Sequence, residues 1–229
     1  MQIKVCGMRD GQNIREVEAL GVTMIGLIFW PKSKRCVQQL PDYLPAKADR
    51  VGVFVNADVD DIVTKVSAYG LDCVQLHGDE DLRYLERLQQ ALAQQERLHA
   101  QQPKRKTPPR IIRAVRVTSA AAAREAAIWD GHADLLLFET PTQGYGGSGM
   151  TFDWQLLEAY QGSTPFLLSG GIGPESVMAL GQFSHPRWAG IDLNSRFESA
   201  PGMKDINKLR EFIWKIESTP YSPASQSGC

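Results

Sequence analysis

The sequence predicts a closed α/β barrel of eight parallel strands, and three observations carry that prediction. Eight apolar runs of strand length recur along the 229 residues, most nearly continuous in Val, Ile, Leu and Phe, as parallel strands covered on both faces require. Helical patterns separate them, so strand and helix alternate. The rival arrangement, an open doubly wound sheet, lacks its usual mark, since no G-x-G-x-x-G follows the first run. A chain of this length forms such a barrel as one domain, here residues 1–217, and the Ser/Pro-rich stretch 218–229 reads as a disordered tail.

The first strand, 2–6, ends in Cys6-Gly7, where a glycine lets the backbone leave the strand sharply. Asn13–Leu20 reads as the first helix and 23–29 as the second strand. The next segment, Val37–Ala48, carries Pro41 and Pro45, so its helix is short or irregular. Strands at 51–55 and 72–76 alternate with helices over Val59–Tyr69 and Leu82–Leu98. His99–Pro109 is polar, basic and proline-rich, and its Lys104-Arg105-Lys106 cluster reads as a solvated loop. Beyond it come strands at 111–115, 134–138, 165–168 and 188–193, with helices over Ala120–Trp129, Trp154–Tyr160, Pro174–Gly181 and Ile206–Ile216. Asp153 is placed to cap the helix that begins at Trp154.

Composition narrows the class. With 25 basic and 26 acidic residues, the chain has no charge excess that would suit nucleic acid or a membrane surface. No apolar stretch is long enough to cross a bilayer, and no basic segment with an apolar run suggests a secretion signal. Cys6, Cys36, Cys73 and Cys229 have neither metal-ligand spacing nor the look of a disulfide framework, and Cys229 reads as a bystander in the tail. The expectation is a reduced, cytoplasmic enzyme acting on a small molecule.

In such a barrel the chemistry comes from the C-terminal strand ends and the loops that follow them. Those tips read Cys6-Gly7, Pro31-Lys32-Ser33-Lys34-Arg35, Val53-Phe54-Val55-Asn56, Val74-Gln75-Leu76-His77-Gly78 and Phe138-Glu139-Thr140. After strand six follow Tyr145-Gly146-Gly147-Ser148-Gly149 and Thr151-Phe152-Asp153-Trp154; strands seven and eight end in Leu168-Ser169-Gly170-Gly171-Ile172 and Asp192-Leu193-Asn194-Ser195-Arg196. Taken alone, Cys6 is a small buried hydrophobe, Arg35 a surface cation, and each glycine a turn.

Taken in order, KVCG, PKSKR, VGVFVN, VQLHG, YGGSG-x-TFDW, LSGGI-x-PE and PG-x-KD resemble phosphoribosylanthranilate isomerase of tryptophan biosynthesis, from Ile3 to about Ile216. That resemblance implies a (β/α)8 barrel without metal or organic cofactor, working as a monomer or homodimer. It also implies an Amadori rearrangement of N-(5-phosphoribosyl)anthranilate to the 1-deoxyribulose 5-phosphate. Such chemistry needs an acid for the ring oxygen of the aminoaldose and a base for the proton on C2. By resemblance Cys6 is the base. An unperturbed thiol has a pKa of about 8.5, so a nearby cation such as Arg35 would favour the thiolate.

The acid position departs from the family, which usually has aspartate where this chain has Glu139. The extra methylene moves the carboxyl by about a bond length, and displacements of about 1 Å can cost on the order of a hundredfold in rate. Glu139 is expected to serve as acid with the loop after it adjusted. Arg35 is expected to meet the anthranilate carboxylate, for which a planar guanidinium is suited. Gly170, Gly171, Asn194, Ser195 and Arg196, with Gly146 and Gly147, are expected at the phosphate. Asn194-Ser195-Arg196 stands where the family commonly has Ser-Ser-Gly, leaving Arg196 either on the phosphate or in solvent. Asp192 is assigned to orientation or electrostatics. Gln75 and His77 are substrate contacts or structural polar groups, and Phe29 and Phe54 are expected in the core, with packing against the anthranilate ring as the alternative. Two alternatives stand beside the isomerase: an enzyme for another phosphorylated aminosugar, such as the histidine-pathway rearrangement, and a non-catalytic barrel that binds phosphate ligands. Acidic groups at both positions would favour the former, and Cys6 argues against it.

Overall fold

A computed structural model describes residues 1–99, 108–139 and 154–218. Eight parallel strands close into a barrel in sequence order: β1 (Gln2–Val5), β2 (Met24–Ile28), β3 (Asp49–Phe54), β4 (Cys73–Leu76), β5 (Arg110–Arg116), β6 (Leu135–Glu139), β7 (Phe166–Leu168) and β8 (Trp188–Leu193). β8 returns to β1 with Lys4 opposite Asp192. The helices are α1 (Gly11–Glu18), α2 (Val59–Tyr69), α3 (Leu82–His99), α4 (Ala120–Glu125), α5 (Val177–Gln182) and α6 (Ile206–Ser218).

Alternation along each strand sorts the side chains into two cores. Ile3, Val5, Ile25, Leu27, Leu136 and Phe138 point outward and pack beneath the helices. Cys6, Met24, Val51, Val53, Cys73, Ile112, Ala114, Leu135, Leu137 and Leu167 fill the interior. The interior is thus a packed plug, and a ligand has access only where the strands end. Phe29 and Phe54 stack at 5.2 Å, with Tyr69 edge-on to Phe29, and belong to the helix-facing core as expected.

Helical segments differ from their sequence reading in four places, one being Pro174–Ser176, a 3-10 turn ahead of α5. The residues from Val37 to Ala48 form no helix, because Pro41 and Pro45 deny it both hydrogen bonds and space. That segment is held instead by the Glu18 carboxylate, which accepts from the backbone N–H groups of Ala46, Lys47 and Ala48 at 2.8, 2.7 and 2.9 Å and from the Tyr43 hydroxyl. Ala120–Trp129 splits into α4 and a 3-10 turn over Ala126–Trp129, and Trp154–Ala159 is 3-10 throughout. Caps come from short polar side chains: Asp10 accepts from Asn13 N–H at 2.8 Å and Ser119 from Ala122 N–H at 3.2 Å. Lys104-Arg105-Lys106, Gly146, Gly147, Asp153 and Cys229 lie outside the described residues. Among the described residues, no helix is long and apolar enough to cross a membrane, and Cys6, Cys36 and Cys73 are free thiols.

Candidate active site

The tip of β1 is built around the sulfur. Lys4 and Cys6, two residues apart, share the inward face of the strand, and the Cys6 N–H donates to Leu193 O at 2.8 Å. Gly7 leaves the strand at φ 78°, in the left-handed region, and a Cβ there would sit 2.6 Å from Arg35 Cδ and 2.8 Å from Asn194 Oδ1. On the neighbouring strand, a Cβ at Gly26 would lie 2.8 Å from Cys6 Sγ. Gly26→Ala is therefore expected to displace the thiol and destabilise the barrel by about 1–3 kcal/mol, read as a lower denaturant midpoint.

Beneath the sulfur, Lys4 is wholly buried, and its Nζ lies 2.7 Å from Asp192 Oδ1. Ser169 Oγ donates to the other carboxylate oxygen at 3.2 Å. Burial opposes the Lys4 charge, but Asp192 and the Cys6 sulfur outweigh it and leave the ammonium above its ordinary pKa. Burial pushes the Cys6 thiol up; Lys4 pulls it back, Asp192 pushes it further up, and Lys204 pulls it down, with a net rise.

Arg35 reaches the same tip from the irregular loop after β2. Its Nε lies 2.8 and 3.0 Å from the two Glu198 oxygens and its Nη2 2.6 Å from Oε2. Glu198 opens a small antiparallel hairpin after β8, formed by β9 (Glu198–Ala200) and β10 (Met203–Lys204). From its second strand the buried Lys204 places Nζ 2.7 Å from Glu198 Oε1 and 2.8 Å from Asn194 Oδ1. Burial would raise the Glu198 carboxyl, but Arg35 and Lys204 hold it below the usual range. Arg35 is thus oriented by a protein carboxylate through Nε and Nη2.

Across the mouth, the ends of β4, β5 and β6 carry a polar chain. Gln75 Nε2 lies 3.0 Å from His77 Nδ1, His77 Nε2 lies 2.9 Å from Glu139 Oε2, and Arg116 Nε lies 3.5 Å from Glu139 Oε1. With the Gln75 amide donating, His77 carries its proton on Nε2 and donates it to the carboxylate. Burial favours a neutral Glu139, but the hydrogen bond from His77 and the charge of Arg116 work against it and depress its pKa. On the remaining side, Gly170 and Gly171 run at φ 87° and 72°, a turn that only glycine makes without strain. Ser195 opens a 3-10 turn over Ser195–Phe197, and Arg196 Nη2 lies 3.2 Å from Glu175 Oε1, so this side chain bridges the loops after β7 and β8.

The strand ends therefore gather Cys6, Arg35, His77, Glu139, Gly170, Gly171, Asp192, Asn194, Ser195 and Arg196 at one end of the barrel. Sequence reasoning passed over Lys4, Arg116, Glu198 and Lys204. Lys4 had a signal, since a lysine inside a strand covered on both faces needs a buried partner. Glu198 had none, because its hairpin pairs residues beyond the last barrel strand.

A family profile described as N-(5'-phosphoribosyl)anthranilate (PRA) isomerase matches residues 3–215. A curated isomerase of that name from Parabacteroides distasonis is 44% identical over 234 residues, spanning 100% of this chain and 97% of the relative. The solved isomerase from Thermotoga maritima superposes with a TM-score of 0.74 at 29% identity, over 95% of this chain and 98% of that one. Another solved phosphoribosylanthranilate isomerase, in complex with reduced 1-(o-carboxyphenylamino)-1-deoxyribulose 5-phosphate, has a TM-score of 0.72 at 26% identity, with coverage of 95% and 98%. Profile, relatives and barrel agree along nearly the whole length, and the chain belongs to the N-(5'-phosphoribosyl)anthranilate isomerase family.

Proposed function

We propose that Cys6 is the base and Glu139 the acid of the isomerisation that this family performs in tryptophan biosynthesis. The observation that carries the reading is placement: a thiol and a carboxyl enter one barrel mouth from β1 and β6, which β7 and β8 separate by the shorter way round. They can therefore address a sugar from two sides. Glu139 protonates the ring oxygen of N-(5-phosphoribosyl)anthranilate, and the ring opens to a protonated Schiff base. The Cys6 thiolate then takes the C2 proton. The C–H electron pair forms the C1=C2 bond, the iminium pair moves to nitrogen, and the enol relaxes to the ketone of 1-(2-carboxyphenylamino)-1-deoxyribulose 5-phosphate.

Binding groups surround that pair. Arg35, held by Glu198 through Nε and Nη2, offers Nη1 to the anthranilate carboxylate. The left-handed Gly170-Gly171 turn and the backbone at Asn194 and Ser195 supply N–H donors for the phosphate, and Gly146 and Gly147 belong to the same reading. Arg196, tied to Glu175, adds positive charge at that rim. Asp192 fixes Lys4 and His77 fixes the Glu139 carboxylate. A solved relative bound to a product analogue with both carboxylate and phosphate supports two anion sites in one mouth.

Turnover and product-analogue affinity, measured together, test these roles. Cys6→Ala and Glu139→Gln should each lose turnover while keeping the affinity within a few-fold; a loss of affinity alone would make that residue a binding contact. Arg35→Ala should raise KM and weaken the analogue by about ten- to a hundredfold, the size of a lost charge-assisted contact, with kcat less affected. An unchanged KM would remove Arg35 from the carboxylate site.

A further inference from the structure

The side chain that the reaction scheme leaves unused is Lys4. Its ammonium is enclosed in the barrel interior, a place where a charge is costly unless it is paired. Asp192, directly opposite on β8, provides the pairing at 2.7 Å. Replacing a buried ion pair by apolar residues of similar volume is often neutral or stabilising, so stability alone is a weak reason for an ion pair at this depth. An ammonium has three N–H groups, and Asp192 leaves it free to face the sulfur two residues along the same strand face. The two groups are coupled in charge, the ammonium favouring the thiolate and the sulfur favouring the ammonium. Gly26 closes the opposite side, allowing the sulfur no retreat.

We propose that Lys4 is a positioning residue for the base: clamped by Asp192, its ammonium holds the Cys6 sulfur at the tip of β1 and stabilises the thiolate that accepts the C2 proton. The proposal rests on the reading of Cys6 as base. The charged groups facing the sulfur are Lys4 on β1, Asp192 on β8, Lys204 on β10 and Arg35 from the loop after β2. Lys204 and Arg35 both spend their charge on Glu198, and Asp192 works against the thiolate while anchoring Lys4. Lys4 is therefore the group whose removal leaves the sulfur most exposed to the cost of burial.

The test is carried out on the full chain without substrate. Alkylation of Cys6 by iodoacetamide is followed by site-resolved mass spectrometry, and the thiolate is titrated by its ultraviolet absorbance. Lys4→Met should alkylate about tenfold or more slowly at neutral pH, equivalent to one pKa unit or more, and should lower kcat with little change in KM. A folded Lys4→Met variant with the wild-type alkylation rate would overturn the proposal. If that variant does not fold, Lys4→Gln takes its place, and a wild-type alkylation rate there would do so. Either result leaves the base reading to stand on an inactive Cys6→Ala. An active Cys6→Ala with a Lys4-dependent thiol would remove the base reading, and with it the catalytic part of this proposal.

Discussion

Cys6→Ala is expected to lower kcat by about 10²- to 10⁴-fold, the range that a positioned acid or base contributes, with KM nearly unchanged. The loss should not be rescued from nearby. Lys4 and Asp192, the ionisable neighbours on β1 and β8, are bonded to one another, and Lys204 is bonded to Glu198. Cys6→Ser separates basicity from shape. Serine keeps a hydrogen-bonding group of similar size, but its hydroxyl is a far weaker acid than a thiol, so almost none of it is anionic near neutral pH. It should therefore be nearly as inactive as alanine. The measurement is steady-state consumption of freshly prepared phosphoribosylanthranilate, followed by its fluorescence. A near-normal rate in either variant would end the assignment of Cys6 as base.

The thiol and its setting differ in how far the sequence discloses them. Cys6 is legible because a strand-length apolar run ends at Cys-Gly, and the barrel class states which end of each strand matters. The barrel was equally legible, since buried parallel strands leave near-continuous apolar runs that loops do not interrupt. Charge partners were not. Lys4 and Asp192 are 188 residues apart and Arg35 and Glu198 are 163 apart, meeting only when β8 closes on β1 and the hairpin folds back. Arg35 illustrates the difference. Its chemistry suggests a cation beside the thiol, and its charge does couple to the sulfur, but Lys4 and Lys204 are the larger influences lowering the Cys6 pKa, and the Arg35 hydrogen bonds go to Glu198. The segment after β2 failed as a helix for a local reason, its two prolines, but the Glu18 carboxylate that organises it could not be read from that segment.

Glu139→Gln is expected to match the Cys6 variants in size, a loss of about 10²- to 10⁴-fold in kcat, and to change the shape of the pH profile as well. The thiol is raised by burial, whereas Glu139 is depressed by His77 and Arg116 against its burial. In the free enzyme near neutral pH, the proton therefore sits on sulfur and the carboxyl is ionised. The proposed roles need the reverse, thiolate with carboxylic acid. Both arrangements hold one proton, so their ratio is independent of pH between the two titrations, and wild-type kcat/KM should be flat there. It should fall below the Glu139 titration, where the base is protonated, and above the Cys6 titration, where the acid is lost. Removing the carboxyl leaves the thiolate as the sole requirement. The residual kcat/KM of Glu139→Gln should then rise about tenfold per pH unit through the neutral range and level off above the thiol titration. Glu139→Asp keeps the donor but shortens its reach to His77, now 2.9 Å, and should retain turnover within about a hundredfold of wild type. A robust Glu139→Gln rate with the wild-type plateau would pass the donor's role to His77, the N–H group that already bonds to this carboxylate. If Lys4 holds the thiolate as proposed, every tenfold gain in thiolate at fixed Glu139 is a tenfold gain in the productive form, and kcat/KM on the plateau should follow it directly.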